Sequence, residues 1–146
     1  MRLDEARLLL ANGFPSGAYC LAGYAIECAL KGIIAAQFRA HEIPDRRLVE
    51  RVHVHDLSKL LNLAGLDDEL EAEMKAKPDL EEAWTTVSRW SERTRYEIWT
   101  RESASAILHA VGGEEGLRGR VIAMAAESLL EAKFEASRQL ARELIE

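Results

Sequence analysis

The sequence is poor in the features that announce a function. Its 146 residues include two cysteines, three prolines and 6% aromatic residues, and acids outnumber bases to give a net charge of −6. Cys20 and Cys28 exclude a disulfide scaffold. On one helix they would stand roughly 12 Å apart along the axis, beyond disulfide reach. Reduced thiols fit a cytoplasmic protein. With so little proline, and no linker-like run or internal repeat, residues 1–146 read as one domain with a real core. The acidic balance excludes global attraction to nucleic acid or to an anionic membrane, so any such contact needs a local basic patch. There is no Walker A loop, no Gly-x-Gly-x-x-Gly after a strand and no Gly-x-Ser-x-Gly. The opening MRLDEARLLLANG carries Asp4 and Glu5 and soon meets Gly13, which is not the pattern of a signal peptide. Segment 17–36 approaches membrane-spanning length, but Glu27 and Lys31 interrupt it and interfacial flanks are missing, so no membrane is expected.

Strand signals are also lacking, and helical periodicity takes their place. Leu3, Ala6 and Leu10 mark a short helix ended by Asn12-Gly13, and Pro15 suits the first turn of a second helix running to about Ala40. The pattern breaks at Pro44. A short helix follows in HDLSKLLNLAG, started by His55 or Asp56 and ended by Gly65, with Leu57, Leu60 and Leu61 on its apolar face. Residues 67–77 read as a solvated helix. Pro78 opens a segment carrying Trp84, Val87 and Trp90, and after a break near 91–96 a helix runs from about Glu97 to Val111. Gly112-Gly113 is a turn. A last helix runs from about Glu114 to the C-terminus with Ile122, Ala125, Leu129, Ala132, Ala136 and Leu140 at 3–4 spacing. The expected fold is an all-α, up-and-down bundle of four to five helices.

In the second helix Ala18, Ala22, Ala25, Ala29, Gly32 and Ala36 share one narrow stripe, where another backbone can approach closely, inside the bundle or across a dimer interface. Glu27 and Lys31 point nearly opposite it, in the favoured acid-before-base i,i+4 order. They are either a solvent-facing pair worth a few tenths of a kcal/mol or one wall of a groove in which both charges need partners.

Two further clusters carry chemistry. Trp84, Trp90, Trp99 and Tyr96 fall together with Arg89, Arg93 and Arg95. Arginine forks grip phosphate and aromatic faces stack on bases, although Glu92 and Glu97 dilute the charge. The competing reading has tryptophans filling core and arginines pairing with acids. Arg95-Tyr96 sits at the expected entrance of a helix, where backbone N–H groups favour anions. RVHVHD groups His53, His55 and Asp56, but without a matching second cluster no metal site is expected, and His55 and Asp56 cap the next helix. His109, inside a helix, reads as structural.

Three pieces in order, SGAYCLAGYAIECALKG (16–32), HDLSKLLNLAGL (55–66) and WTTVSRWSERTRY (84–96), resemble the HEPN domain family, named for nucleotide binding in higher eukaryotes and prokaryotes. The family pattern falls on Ala25, Glu27, Leu30 and Lys31; on His55, Asp56 and Leu57; and on Arg95 and Tyr96. The resemblance spans about residues 1–135. It implies a helical bundle that commonly dimerises, a nucleotide or RNA ligand, no cofactor, and often a minimal nucleotidyltransferase partner in a toxin–antitoxin or other defence system. The ligand-binding residues it implies are Glu27, Lys31, His55, Asp56, Arg95 and Tyr96.

Many relatives are metal-independent ribonucleases with an Arg-x4–6-His motif. Here Arg46 or Arg47 with His53 has that spacing, in what reads as a loop after Pro44, while Arg101 and His109 are separated by one residue too many. Were the chain a ribonuclease, His55 and Arg95 would be its catalytic pair. Three functions remain open: a nucleotide- or RNA-binding module, a dimeric ribonuclease, and a non-catalytic dimeric interaction protein.

Overall fold

The apolar spacing produces helices throughout. The structure, a computed structural model, describes residues 2–38, 43–113 and 116–143, which form eight α-helices and one 3-10 turn and no strand. In chain order they are α1 (Arg2–Ala11), α2 (Pro15–Ala36), α3 (Arg46–Val52), α4 (Leu57–Ala64), α5 (Asp67–Ala76), α6 (Pro78–Ser88), the 3-10 turn (Glu92–Tyr96), α7 (Arg101–Gly112) and α8 (Leu117–Glu143). The chain is therefore all-α.

α2 is the hub. It packs against α1, α4, α7, α8 and the 3-10 turn, and it buries Ile26, Leu30 and Ile34 almost completely. Each such side chain contributes about 1.5–3 kcal/mol of hydrophobic free energy. By length and composition α2 could cross a membrane; in this fold it is the core helix. Its small stripe divides. Ala18, Ala22 and Ala25 are buried, whereas Gly32 and Ala36 are exposed. Gly23 serves a different contact. A Cβ there would lie 2.2 Å from Cγ of Trp90, so the indole can reach the α2 backbone only over glycine, and Nε1 of Trp90 donates to the Cys20 carbonyl.

Several boundaries differ from the sequence reading. α2 ends at Ala36, where Gln37 caps it; Ala40 lies outside the described residues. Residues 46–52, read as loop, are helical because Asp45 caps them by accepting from the Arg47 amide. α7 begins at Arg101 and not near Glu97, since Thr100 Oγ1 accepts from the Ser103 amide and fixes the first turn there. Glu114, the expected start of the last helix, lies outside the described residues. α5 is less solvated than its charge suggests: Leu70 is fully buried and Glu73 receives Arg120 from α8.

Candidate functional site

A carboxylate inside the core is the least expected feature of the fold. Glu27 is 1% exposed on the central helix. Burial of a carboxylate is costly unless charge and hydrogen bonds compensate it, and two partners do. Lys31 Nζ donates to Oε1 at 2.8 Å, one helical turn along α2. His55 Nδ1 lies 2.9 Å from Oε1 and 3.0 Å from Oε2. The second partner comes from a different element, the residue just before the Asp56 cap of α4. The solvent-facing reading of Glu27 is thereby overturned; Lys31, half-buried, reaches inward to meet it.

A fourth residue completes the cluster. His55 Nε2 lies 3.2 Å from Oε2 of Glu92, on the 3-10 turn. A carboxylate only accepts, so the Nδ1 contact is a hydrogen bond when that nitrogen carries the proton, while the Nε2 contact with Glu92 is an ion-pair distance that is charged only in the protonated ring. The imidazole then bridges a buried acid and one at the surface, the Glu92 side chain being 53% exposed. The acids stand on opposite sides of the ring and cannot share an ion with it. Among the described residues no group of three His, Cys, Asp or Glu side chains is arranged to hold a metal.

Aromatic packing places the 3-10 turn over His55. Before the turn, Trp90 is locked over Gly23. After it, the Trp99 amide donates to Ser16 Oγ and the Trp99 ring stacks on Tyr19 at 3.7 Å, with 3° between planes. Both anchors belong to α2. Trp90 is core, while Trp84 and Trp99 are partly buried against it. Burial pushes the Tyr19 phenol above its usual range, the charge of Glu97 adds to this, and Arg89 opposes it.

The remaining sequence candidates lie apart from the carboxylate. Asp56 caps α4, accepting from the Lys59 amide at 3.1 Å. Arg95 and Tyr96 are exposed. They belong to the 3-10 turn and not to a helix entrance, so that expectation is corrected: α7 starts five residues beyond Tyr96. Arg95 Nε donates to the Glu92 carbonyl at 3.0 Å, and its guanidinium stands 5.9 Å from the Tyr96 ring centre. Its main-chain partner is thus the residue whose carboxylate faces His55. His53 caps α3, and Arg46 on that helix pairs with Glu50 at 2.8 Å. His109 is exposed on α7.

Glu92 was missed in the sequence, where it counted only as a charge diluting nearby arginines. No helical periodicity could point from it to His55, because the contact depends on how a 3-10 turn is pinned between two tryptophans. No family model matches the chain, and neither does any curated protein or solved structure.

Proposed function

We propose that the chain is a HEPN-like nucleotide- or RNA-binding module, folded as an up-and-down bundle of four to five principal helices and working as a homodimer with a minimal nucleotidyltransferase in a toxin–antitoxin or defence-type system. One observation carries the site. Glu27 and Lys31, from one resembling motif, meet His55 from another at hydrogen-bond distance, although 28 residues separate the carboxylate from the imidazole. The convergence compensates a buried carboxylate and at the same time holds a base and an imidazole beside an exposed turn, which supports the reading. Glu27 orients the cluster. Lys31 supplies positive charge at its edge and His55 a ring N–H. Arg95 and Tyr96, exposed on the adjoining turn, supply a phosphate fork and a stacking face.

The test is fluorescence anisotropy with labelled single-stranded RNA, alongside calorimetry with ATP. Wild-type protein is expected to bind at least one of them. Arg95→Ala should weaken RNA binding severalfold and lower the salt slope by about 1, as loss of one phosphate contact requires. Absence of binding to both ligands would leave the interaction protein as the surviving reading.

A second reading, a metal-independent ribonuclease acting as a dimer, draws on one detail. The buried carboxylate holds Nδ1 of His55, and Nε2 faces the exposed edge of the cluster. In that position Nε2, once deprotonated, would take the proton of a ribose 2′-hydroxyl while the 2′-oxygen attacks the adjacent phosphorus. The bond to the 5′-oxygen would break, that oxygen would take a proton from a second acid, and Arg95 would stabilise the crowded phosphorane. Cleavage in chelator-treated buffer, abolished by His55→Ala, selects this reading over simple binding.

A further inference from the structure

Three helices enclose a cleft that no residue of the Glu27–His55 cluster lines. It lies between α1, α2 and α8 and holds about 500 Å³, a volume within the range of small-molecule sites. Ala25 and Ala125, both buried, form its floor. Leu3, Ala29 and Ile33 continue the apolar lining, and Ile122, which also faces the cleft, is 41% exposed. Gly32 keeps one wall low, because a Cβ there would meet nothing within 4 Å. α2 borders the cleft from Ala25 to Ala36, about 16 Å of helix, so the space is a trough more than a round pocket.

The lining selects against most ligands. It contains no aromatic ring, and its hydrogen-bonding side chains are Arg2, Arg118 and the Cys28 thiol. A nucleobase or a sugar would leave polar edges unpaired on such walls, whereas an extended aliphatic chain would leave none. Charge narrows the choice further. Both charged lining residues are arginines, and no described acid lines the cleft. Arg2 is held by Glu5 at 2.7 Å and stands 5.9 Å from the Tyr24 ring centre. Arg118 is exposed and has no hydrogen bond or ion pair among the described residues. In a chain of net charge −6 this is a local positive site, and an anion is drawn there by the cleft and not by the protein as a whole. A guanidinium receives a carboxylate through two parallel hydrogen bonds.

We propose that this cleft binds a free amphipathic carboxylate with a straight aliphatic chain. The chain lies along α2 over Ala25, Ala29 and Gly32, and the carboxylate is held by Arg118. The site is separate from the RNA-binding reading: it shares no residue with the Glu27–His55 cluster or with Arg95 and Tyr96, and its ligand is of a different chemical class. Cys28, exposed in the same cleft, gives it a local reporter.

Calorimetry with decanoate below its micellar concentration tests it, together with alkylation of Cys28 by neutral N-ethylmaleimide in a Cys20→Ser background. Decanoate is expected to bind one per chain and to slow the alkylation. Each methylene removed, from decanoate through octanoate to hexanoate, should weaken binding about fourfold. Arg118→Gln should weaken decanoate severalfold, and decyltrimethylammonium, of opposite charge, should not protect Cys28. Gly32→Leu should fill the trough and abolish binding with the helical circular dichroism retained. No binding of decanoate overturns the proposal, and so does an affinity independent of chain length or of Arg118. Protection of Cys28 without ligand, appearing only at high protein concentration, would give the cleft to a second copy. Binding to phosphatidylglycerol vesicles in place of decanoate would give it to a membrane surface. Either result overturns the proposal as well. RNA binding is scored separately through Arg95→Ala, so failure of this site and failure of the RNA-binding reading are distinguishable.

Discussion

Glu27 and Tyr19 stand two turns apart on one helix, and each is a polar group that burial would penalise. Glu27 escapes the penalty through Lys31 and His55. Removal of either partner leaves a buried carboxylate short of donors, which is costlier than the loss of one surface pair. For the ionised form of Tyr19 the charge of Arg89 compensates only in part. It is 5% exposed and stacked on Trp99, and burial, reinforced by Glu97, raises its folded-state pKa above the ordinary value of 10.0. The sign follows from linkage. A raised folded-state value favours the neutral phenol in the folded chain, so its contribution is fully present below about pH 10 and fades as pH climbs through the folded-state value. Urea unfolding of wild type and Tyr19→Phe at a series of alkaline pH values checks this. The stability difference between them should stay constant up to pH 10 and then shift in favour of the phenylalanine variant.

At the scale of elements, local chemistry set the ends of helices more firmly than hydrophobic spacing did. α4 is bounded by Asp56, whose carboxylate accepts from Lys59 N, and by Gly65 at φ 73°, where the left-handed backbone suits glycine. Both ends were legible in HDLSKLLNLAG. The role of Asp56 was legible only in part: the sequence allowed it as a cap and, by resemblance, as a ligand-binding residue. Its observed bond gives it a capping function. Asp56→Ala should cost about 1 kcal/mol of stability, Asp56→Asn should restore most of it, and neither should change RNA affinity, as urea denaturation and anisotropy on the same samples will reveal. α3 escaped notice because its seven residues bury nothing and so leave no apolar period to read. The late start of α7 has the opposite origin, a Thr100 cap that outweighs the apolar pattern around Ile98 and Trp99.

Across the molecule, a single apolar cluster links residues from α1 to α8, with α2 at its centre. No described element has a core of its own, which makes cooperative unfolding the physical expectation. The tryptophans report on the contacts of α6 and of the segment flanking the 3-10 turn, and far-ultraviolet circular dichroism reports on all helices. The two probes should trace one superimposable urea transition. Separate midpoints would mean that the segment carrying Glu92 detaches from α2 before the rest unfolds.

The sequence by itself determined that the chain is helical, where most helices lie, and that Glu27 with Lys31 is the anomaly to explain. Periodicity, caps and breakers act over a few residues, so they are written in the order of the chain. Which way the anomaly resolves was a tertiary matter. Glu27 lies buried because α4 brings His55 to it and because Trp90 and Trp99 pin the 3-10 turn so that Glu92 closes the other side of the ring. Those contacts join residues 28 and more positions apart, and no local pattern encodes them.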